Sequence, residues 1–271
     1  METVDGKGAL YMLEQFSFTL PTETTRGRKR IVRVYRPDFV SADERIPVLY
    51  MHDGQNVFDG KTATIGEGWS IDRHIEDLQL PLMVVAIASA PDWLDRYDEY
   101  SFYEDEMLYR RIGPELAKTR PTLGGKGRAY ADWLMQELKP WIDERYATDP
   151  DDVGVMGSSM GGVISLYMMT AYPSIRRVGS LSTAAWANLD SLIREVKQAD
   201  LTARLYMDIG TNETSGPITP EDYLYTNAKL VETVARTGIA FRYEVEPGAV
   251  HNEIAWRRRL PNALAFLYEL T

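Results

Sequence analysis

The chain has 271 residues, 44% of them hydrophobic, a length ordinary for one α/β domain with a sizeable core. Its formal charge of −10 argues against nucleic acid or an anionic membrane as the main partner. It has no cysteine, which excludes disulfides, thiolate catalysis and Cys-ligated metal sites. Met1 to Gly8 shows neither the basic nor the apolar part of a secretory leader, and the most apolar run, Leu82 to Ala90, is half what a bilayer span needs. A cytoplasmic protein without membrane contact is therefore expected.

Leu13 to Leu20 alternates Phe16, Phe18 and Leu20 with Gln15, Ser17 and Thr19, and Arg30 to Tyr35 alternates again. Polar Pro21 to Lys29 joins the two, so an antiparallel hairpin with one wet face is predicted. From Pro47 onward, apolar strand-like runs separate helical ones. Strands are expected at 48–51, 82–88, 153–156, 178–181, 205–209 and 241–245. Helices are expected at 68–78, 128–145, 161–171, 222–237 and 254–270. This alternation predicts an α/β fold, a mostly parallel sheet with helices on both faces and the hairpin at one edge. No repeat or linker divides the chain, so a single domain over residues 1–271 is expected. The segment 91–123 breaks the rhythm with Asp, Glu, Arg, aromatic residues and three prolines, the composition and length of a lid or binding loop.

Asp152-Val-Gly-Val-Met-Gly-Ser-Ser-Met-Gly-Gly162 runs from a strand into a helix. In that setting Gly-x-Ser-x-Gly is a nucleophile elbow, with Ser159 lifted clear of the sheet on a turn so tight that Gly157 and Gly161 must lack side chains. The N–H of Met160, at a helix N-terminus, can stabilise an oxyanion there.

A serine needs a base. Of the three histidines, His74 sits among Arg73, Glu76 and Asp77 on what reads as a solvated helix face, and His52 precedes the serine. His251 follows the last strand, in the Ser, acid, His order of α/β-hydrolases. The acid comes from Asp208 or Glu213. Glu213 is preferred, because it stands on the loop and Asp208 within the strand. The second oxyanion donor is assigned to the N–H of Gln55 in His52-Asp-Gly-Gln-Asn56, with Asn56 beside it and His52 and Asp53 bracing the loop. Asp53, Asp59 and Glu67 match no Ca²⁺ loop, so no metal is expected.

Together, Tyr50-Met-His-Asp-Gly-Gln-Asn-Val-Phe-Asp59, Gly157-Ser-Ser-Met-Gly-Gly162 and His251-Asn-Glu-Ile-Ala-Trp-Arg-Arg-Arg259 resemble the esterase D-like branch of the α/β-hydrolases, from about residue 30 to the end. That branch includes feruloyl, acetyl xylan and enterochelin-type esterases, S-formylglutathione hydrolases and mycolyltransferases. The resemblance implies Ser159 as nucleophile, Glu213 as acid, His251 as base, and Met160 and Gln55 as the oxyanion hole. It also points to Trp186, Asn56 and Ser158 as substrate-binding residues. The function expected is cofactor-free hydrolysis of a small-molecule ester, with a carbohydrate, phenolic or siderophore ester as candidates. Its rivals are acyl transfer from the same acyl-enzyme and a binding protein on an inactive hydrolase scaffold. The substrate and the oligomeric state are not legible.

Overall fold

The computed structural model describes residues 3–4, 10–20, 29–105 and 122–270. Among them lie nine strands: β1 Thr3–Val4, β2 Leu10–Thr19, β3 Lys29–Arg36, β4 Ile46–Met51, β5 Met83–Ile87, β6 Thr148–Ser158, β7 Ile175–Leu181, β8 Arg204–Asn212 and β9 Phe241–Val250. They form one sheet in the order β1-β2-β3-β5-β4-β6-β7-β8-β9. The pairs β1–β2, β2–β3 and β3–β5 are antiparallel, and from β5 to β9 every pair is parallel. The hairpin therefore extends the edge of a parallel sheet, as its alternation predicts. Phe16 and Phe18 turn inward against Trp141, with centroids 4.8 and 5.0 Å away. The turn expected between its strands lies outside the described residues.

Among the described residues the helices are α1 Ile71–Leu78, α2 Trp93–Tyr100, α3 Gly127–Trp133, α4 Lys139–Arg145, α5 Met160–Ala171, α6 Leu189–Gln198, α7 Pro220–Ala235 and α8 Glu253–Leu267. Two apolar layers sandwich the sheet. Val48, Tyr50, Met83, Val85 and Val155 point into one, with α3, α5, α6 and α7. Leu49, Met51, Val84, Ala86 and Met156 point into the other, with α1 and α8. Strands covered on both faces need apolar residues at every position, so 82–88 reads as one unbroken apolar run. The run expected as one helix over 128–145 is α3 and α4 joined by a π turn, Leu134–Leu138. That turn ends two residues before Pro140, which has no N–H for the ladder and whose ring crowds the carbonyl four residues back, inside the turn.

Two of these helices, α2 and α6, are not among those expected. In α2 the charges of Trp93-Leu-Asp-Arg-Tyr-Asp-Glu-Tyr100 hide the period, although Asp92 caps it by accepting from the Leu94 and Asp95 N–H groups at 2.9 and 3.2 Å. In α6 the signal is present, since Leu189, Leu192, Ile193 and Val196 share one face. Of the aromatic residues in 91–123, Tyr97, Tyr100 and Phe102 are core, while Trp93 is 53% exposed. Tyr109, Arg110 and Arg111 lie outside the described residues, as does the rest of the expected lid between 106 and 121.

Candidate active site

β6 ends at Ser158 and α5 begins at Met160, leaving Ser159 between them at φ 57°, ψ −122°. A non-glycine residue holds that conformation only where its surroundings over-determine it. The Ser159 N–H donates to the Leu181 carbonyl at 2.9 Å, and its own carbonyl accepts from Ala184 at 3.1 Å. A Cβ on Gly157 would stand 2.7 Å from the Gly161 carbonyl carbon, backbone against backbone. On Gly161 it would meet the Asp53 carboxylate at 3.2 Å, so the crowding is real at both glycines and severe at the first. Met160 through Met169 are all buried, which sets the elbow on an immobilised helix whose first amide, Met160, has no intrahelical acceptor.

Across the cavity, β4 runs into a single 3₁₀ turn, Gly54–Asn56, closed by the Asn56 N–H to the Asp53 carbonyl at 2.8 Å. The Gln55 side chain exchanges two 3.0 Å hydrogen bonds with Ser89 beyond the end of β5. Asn56 donates to Glu253 at 2.9 Å, tying the turn to the first residue of α8. His52 is buried, its Nδ1 2.9 Å from the Tyr130 hydroxyl, and burial pushes its pKa down to about 4.

The acid and base come from the far side of the sheet. β8 continues past the five residues predicted, to Asn212, so Glu213 follows its last residue and Asp208 lies mid-strand. The Glu213 Oε2 is 2.5 Å from His251 Nδ1. Its Oε1 accepts from the Gly210 N–H at 2.8 Å and from the Ser182 hydroxyl at 2.5 Å. Trp256 Nε1 and Arg259 donate to that hydroxyl in turn, at 2.8 and 2.7 Å. Burial pulls the Glu213 pKa upward, but the hydrogen bond and charge of His251, aided by Ser182 and Gly210, hold it below the usual carboxylate range. Asp208 instead accepts from the Ser182 amide at 3.2 Å, its other oxygen 3.5 Å from Arg259. Burial pushes its pKa up to about 7. The carboxylate facing Nδ1 has only acceptors, so Nδ1 carries the proton in the neutral imidazole, whose lone pair then lies at Nε2. Trp256 packs edge-on to the imidazole at 5.0 Å, and the Tyr223 hydroxyl lies 3.4 Å from Nε2.

A cavity of about 530 Å³ opens over this arrangement. Ser159, Ser158, His251, Gln55 and Asn56 line it, with Trp93, Arg96, Asp53, Ser89, Glu253 and Trp256 among the other wall residues. Glu213 stands behind His251, fully buried, and Met160 lies buried beneath the elbow. Trp186 is not among the residues lining the cavity; its indole stands edge-on to Tyr223 at 6.3 Å, packed on the cluster of Ile209, Ile218 and Tyr223. His74 is half-buried rather than solvated, and burial lowers its pKa.

The sequence pattern does not single out Tyr223, Ser182 or Ser89. It offers Arg96 only as an arginine of the 91–123 segment able to meet a substrate carboxylate or catecholate or to pair with that segment's own acids, and the structure pairs it with Asp53 instead. Arg259 and Trp256 carry a signal, since they stand eight and five residues after His251, facing the sheet from α8.

The family model described as "Putative esterase" matches residues 23–267. A Bacillus subtilis (strain 168) protein, the uncharacterised YbbA, is 26% identical over 255 residues, spanning 91% of this chain and 95% of its own. Among solved structures, the BES protein from Bacillus cereus superposes with a TM-score of 0.71 at 17% identity, covering 98% of both chains. A ferulic acid esterase does so at 0.68 and 14%, covering 96% of this chain and 99% of its own. The enterobactin hydrolase IroE in complex with DFP gives 0.66 and 18%, with 93% and 95% covered. At such identities these likenesses establish the fold, that of the α/β-hydrolases.

Proposed function

The chain belongs to this esterase family, and on that premise we propose that it is a serine carboxylic-ester hydrolase working through an acyl-enzyme on Ser159. The observation that carries the reading is the 2.5 Å contact between His251 Nδ1 and the buried Glu213, with His251 sharing one cavity with a serine held at positive φ at a helix N-terminus. His251 Nε2 takes the Ser159 proton as Oγ adds to the ester carbonyl, and Glu213 stabilises the imidazolium that forms. The Met160 and Gln55 N–H groups hold the tetrahedral oxyanion. A single such donor is typically worth about 10²–10³ in rate. His251 returns the proton to the departing alcohol, and water repeats the sequence on the acyl-enzyme. The substrate is a small-molecule ester whose acyl or alcohol part lies between Trp93 and the Gln55–Asn56 turn.

The test is p-nitrophenyl acetate hydrolysis by wild type and Ser159→Ala, with fluorophosphonate labelling located by mass spectrometry. Turnover that vanishes in the variant, with label on Ser159, is expected. Folded wild type that neither turns over nor takes label would overturn the reading.

A further inference from the structure

The segment that breaks the strand–helix rhythm reaches the site through α2, and it does so at Asp53. This residue links β4 to the 3₁₀ turn in a left-handed conformation, φ 54° and ψ 45°. Three contacts hold it there. Its carboxylate receives a two-pronged grip from Arg96, Nε to Oδ1 at 2.6 Å and Nη2 to Oδ2 at 2.7 Å. Its N–H donates to the Tyr100 hydroxyl at 3.0 Å. Arg96 and Tyr100 stand one turn apart on α2, and the guanidinium lies 5.2 Å from the centroid of the Tyr100 ring. The carboxylate, 6% exposed as a residue, also closes on the elbow at Gly161. Burial pulls the Asp53 pKa up, but the charge and hydrogen bonds of Arg96 outweigh it and hold the group below the usual range. The next residue, Gly54, is pressed so tightly on β5 that a Cβ would lie 2.5 Å from the Ala86 carbonyl carbon. The turn has no slack. Its orientation follows from where Asp53 is pinned.

We propose that Arg96 is a positioning residue for the turn that carries the Gln55 N–H: its grip on Asp53 fixes the donor's aim at the cavity. The proposal rests on the acyl-enzyme reading above. It gives the segment after β5 a role separate from covering the substrate, because α2 completes the site from behind. Arg96 also lines the cavity, so the competing role is direct binding of an anionic substrate group. The two roles differ in kinetics. A misaimed oxyanion donor costs transition-state stabilisation on every ester, whereas a lost binding group raises KM for charged ones.

The experiment compares Arg96→Met, Arg96→Lys, Asp53→Asn and the Asp53→Asn/Arg96→Met double variant on neutral p-nitrophenyl acetate, with thermal melts of each. Arg96→Met is expected to lower kcat about 10- to 100-fold, with KM within about twofold, since the donor is displaced rather than deleted. Arg96→Lys keeps the charge without the fork and is expected to recover part of the loss. The double variant is expected to be no worse than the poorer single, because both break one contact. Should Arg96→Met melt too low to assay, Arg96→Lys and Asp53→Asn decide by the same kcat loss. Unchanged kcat on the neutral ester, or a raised KM alone, would overturn the proposal. A wild type without turnover or label removes the function and this proposal together, an outcome separate from active wild type with indifferent variants.

Discussion

Glu213→Gln tests the proposed acid with little change of shape. In wild type, Oε1 is held by the Gly210 N–H at 2.8 Å and by Ser182, so a glutamine would keep its oxygen there and turn its NH₂ toward His251. Nδ1 would then have to accept, the ring proton would move to Nε2, and the nitrogen that should take the Ser159 proton would carry one already. A wrong tautomer of this kind typically costs about 10³–10⁴ in kcat, which is about 4–5.5 kcal/mol of barrier. Folding should suffer less, about 1–3 kcal/mol, because Arg259 keeps Asp208 and Glu246 within 3.5 Å. The assay is steady-state kcat with p-nitrophenyl acetate, alongside a urea melt. Asp208→Asn is the control. It contacts the Ser182 amide rather than the imidazole, so its kcat should stay within about threefold of wild type. A Glu213→Gln enzyme that keeps about a tenth of wild-type kcat or more, beside a crippled Asp208→Asn, would refute the assignment.

The same Asp208 predicts a pH dependence of stability. Its folded pKa is raised from 3.8 to about 7, so between those values the folded chain binds a proton that the unfolded chain has released, and stability falls as pH rises through the window. Asp208→Asn removes this share of the slope and leaves that of Glu99, which burial also raises to about 7. Measured by urea unfolding, the variant should gain about 2–3 kcal/mol on wild type between pH 5 and pH 8, and an equal difference at both pH values would contradict the cause given. At the elbow, Gly157→Ala sets a Cβ 2.7 Å from backbone that cannot yield, whereas Gly161→Ala meets Asp53 at 3.2 Å. The first should cost about 3 kcal/mol and abolish fluorophosphonate labelling, and the second about 1 kcal/mol. The reverse order would show that the turn is not the constraint.

The fold was legible where burial forces a local pattern. Strands covered on both faces must be apolar throughout, and an edge hairpin with one wet face must alternate, so β2 to β5 and the parallel run could be placed from composition alone. Helix α2 was hidden because what it buries is polar. Glu99 is 0% exposed and pairs with the buried Arg30, and Arg96 pairs with Asp53, so its inward face looks like a solvated one. Hydropathy reads burial only when the buried face is apolar.

The site divides along the same line. Ser159, Glu213 and His251 stand just beyond strand ends, where chain order constrains what can meet, and the elbow motif with that order nominated them, Asp208 included. Order could not separate Asp208 from Glu213, since that depends on how far β8 pairs with β9. The ladder shifts register between Gly210 and Asn212, and that irregularity delivers Glu213 to His251. Ser182, Arg259, Arg96 and Tyr223 reach the site from other segments, 31, 77, 43 and 28 residues from the partners they touch. No spacing rule spans such separations. Local sequence can name the groups able to react, but their orientation is fixed by contacts that exist only once the sheet has closed.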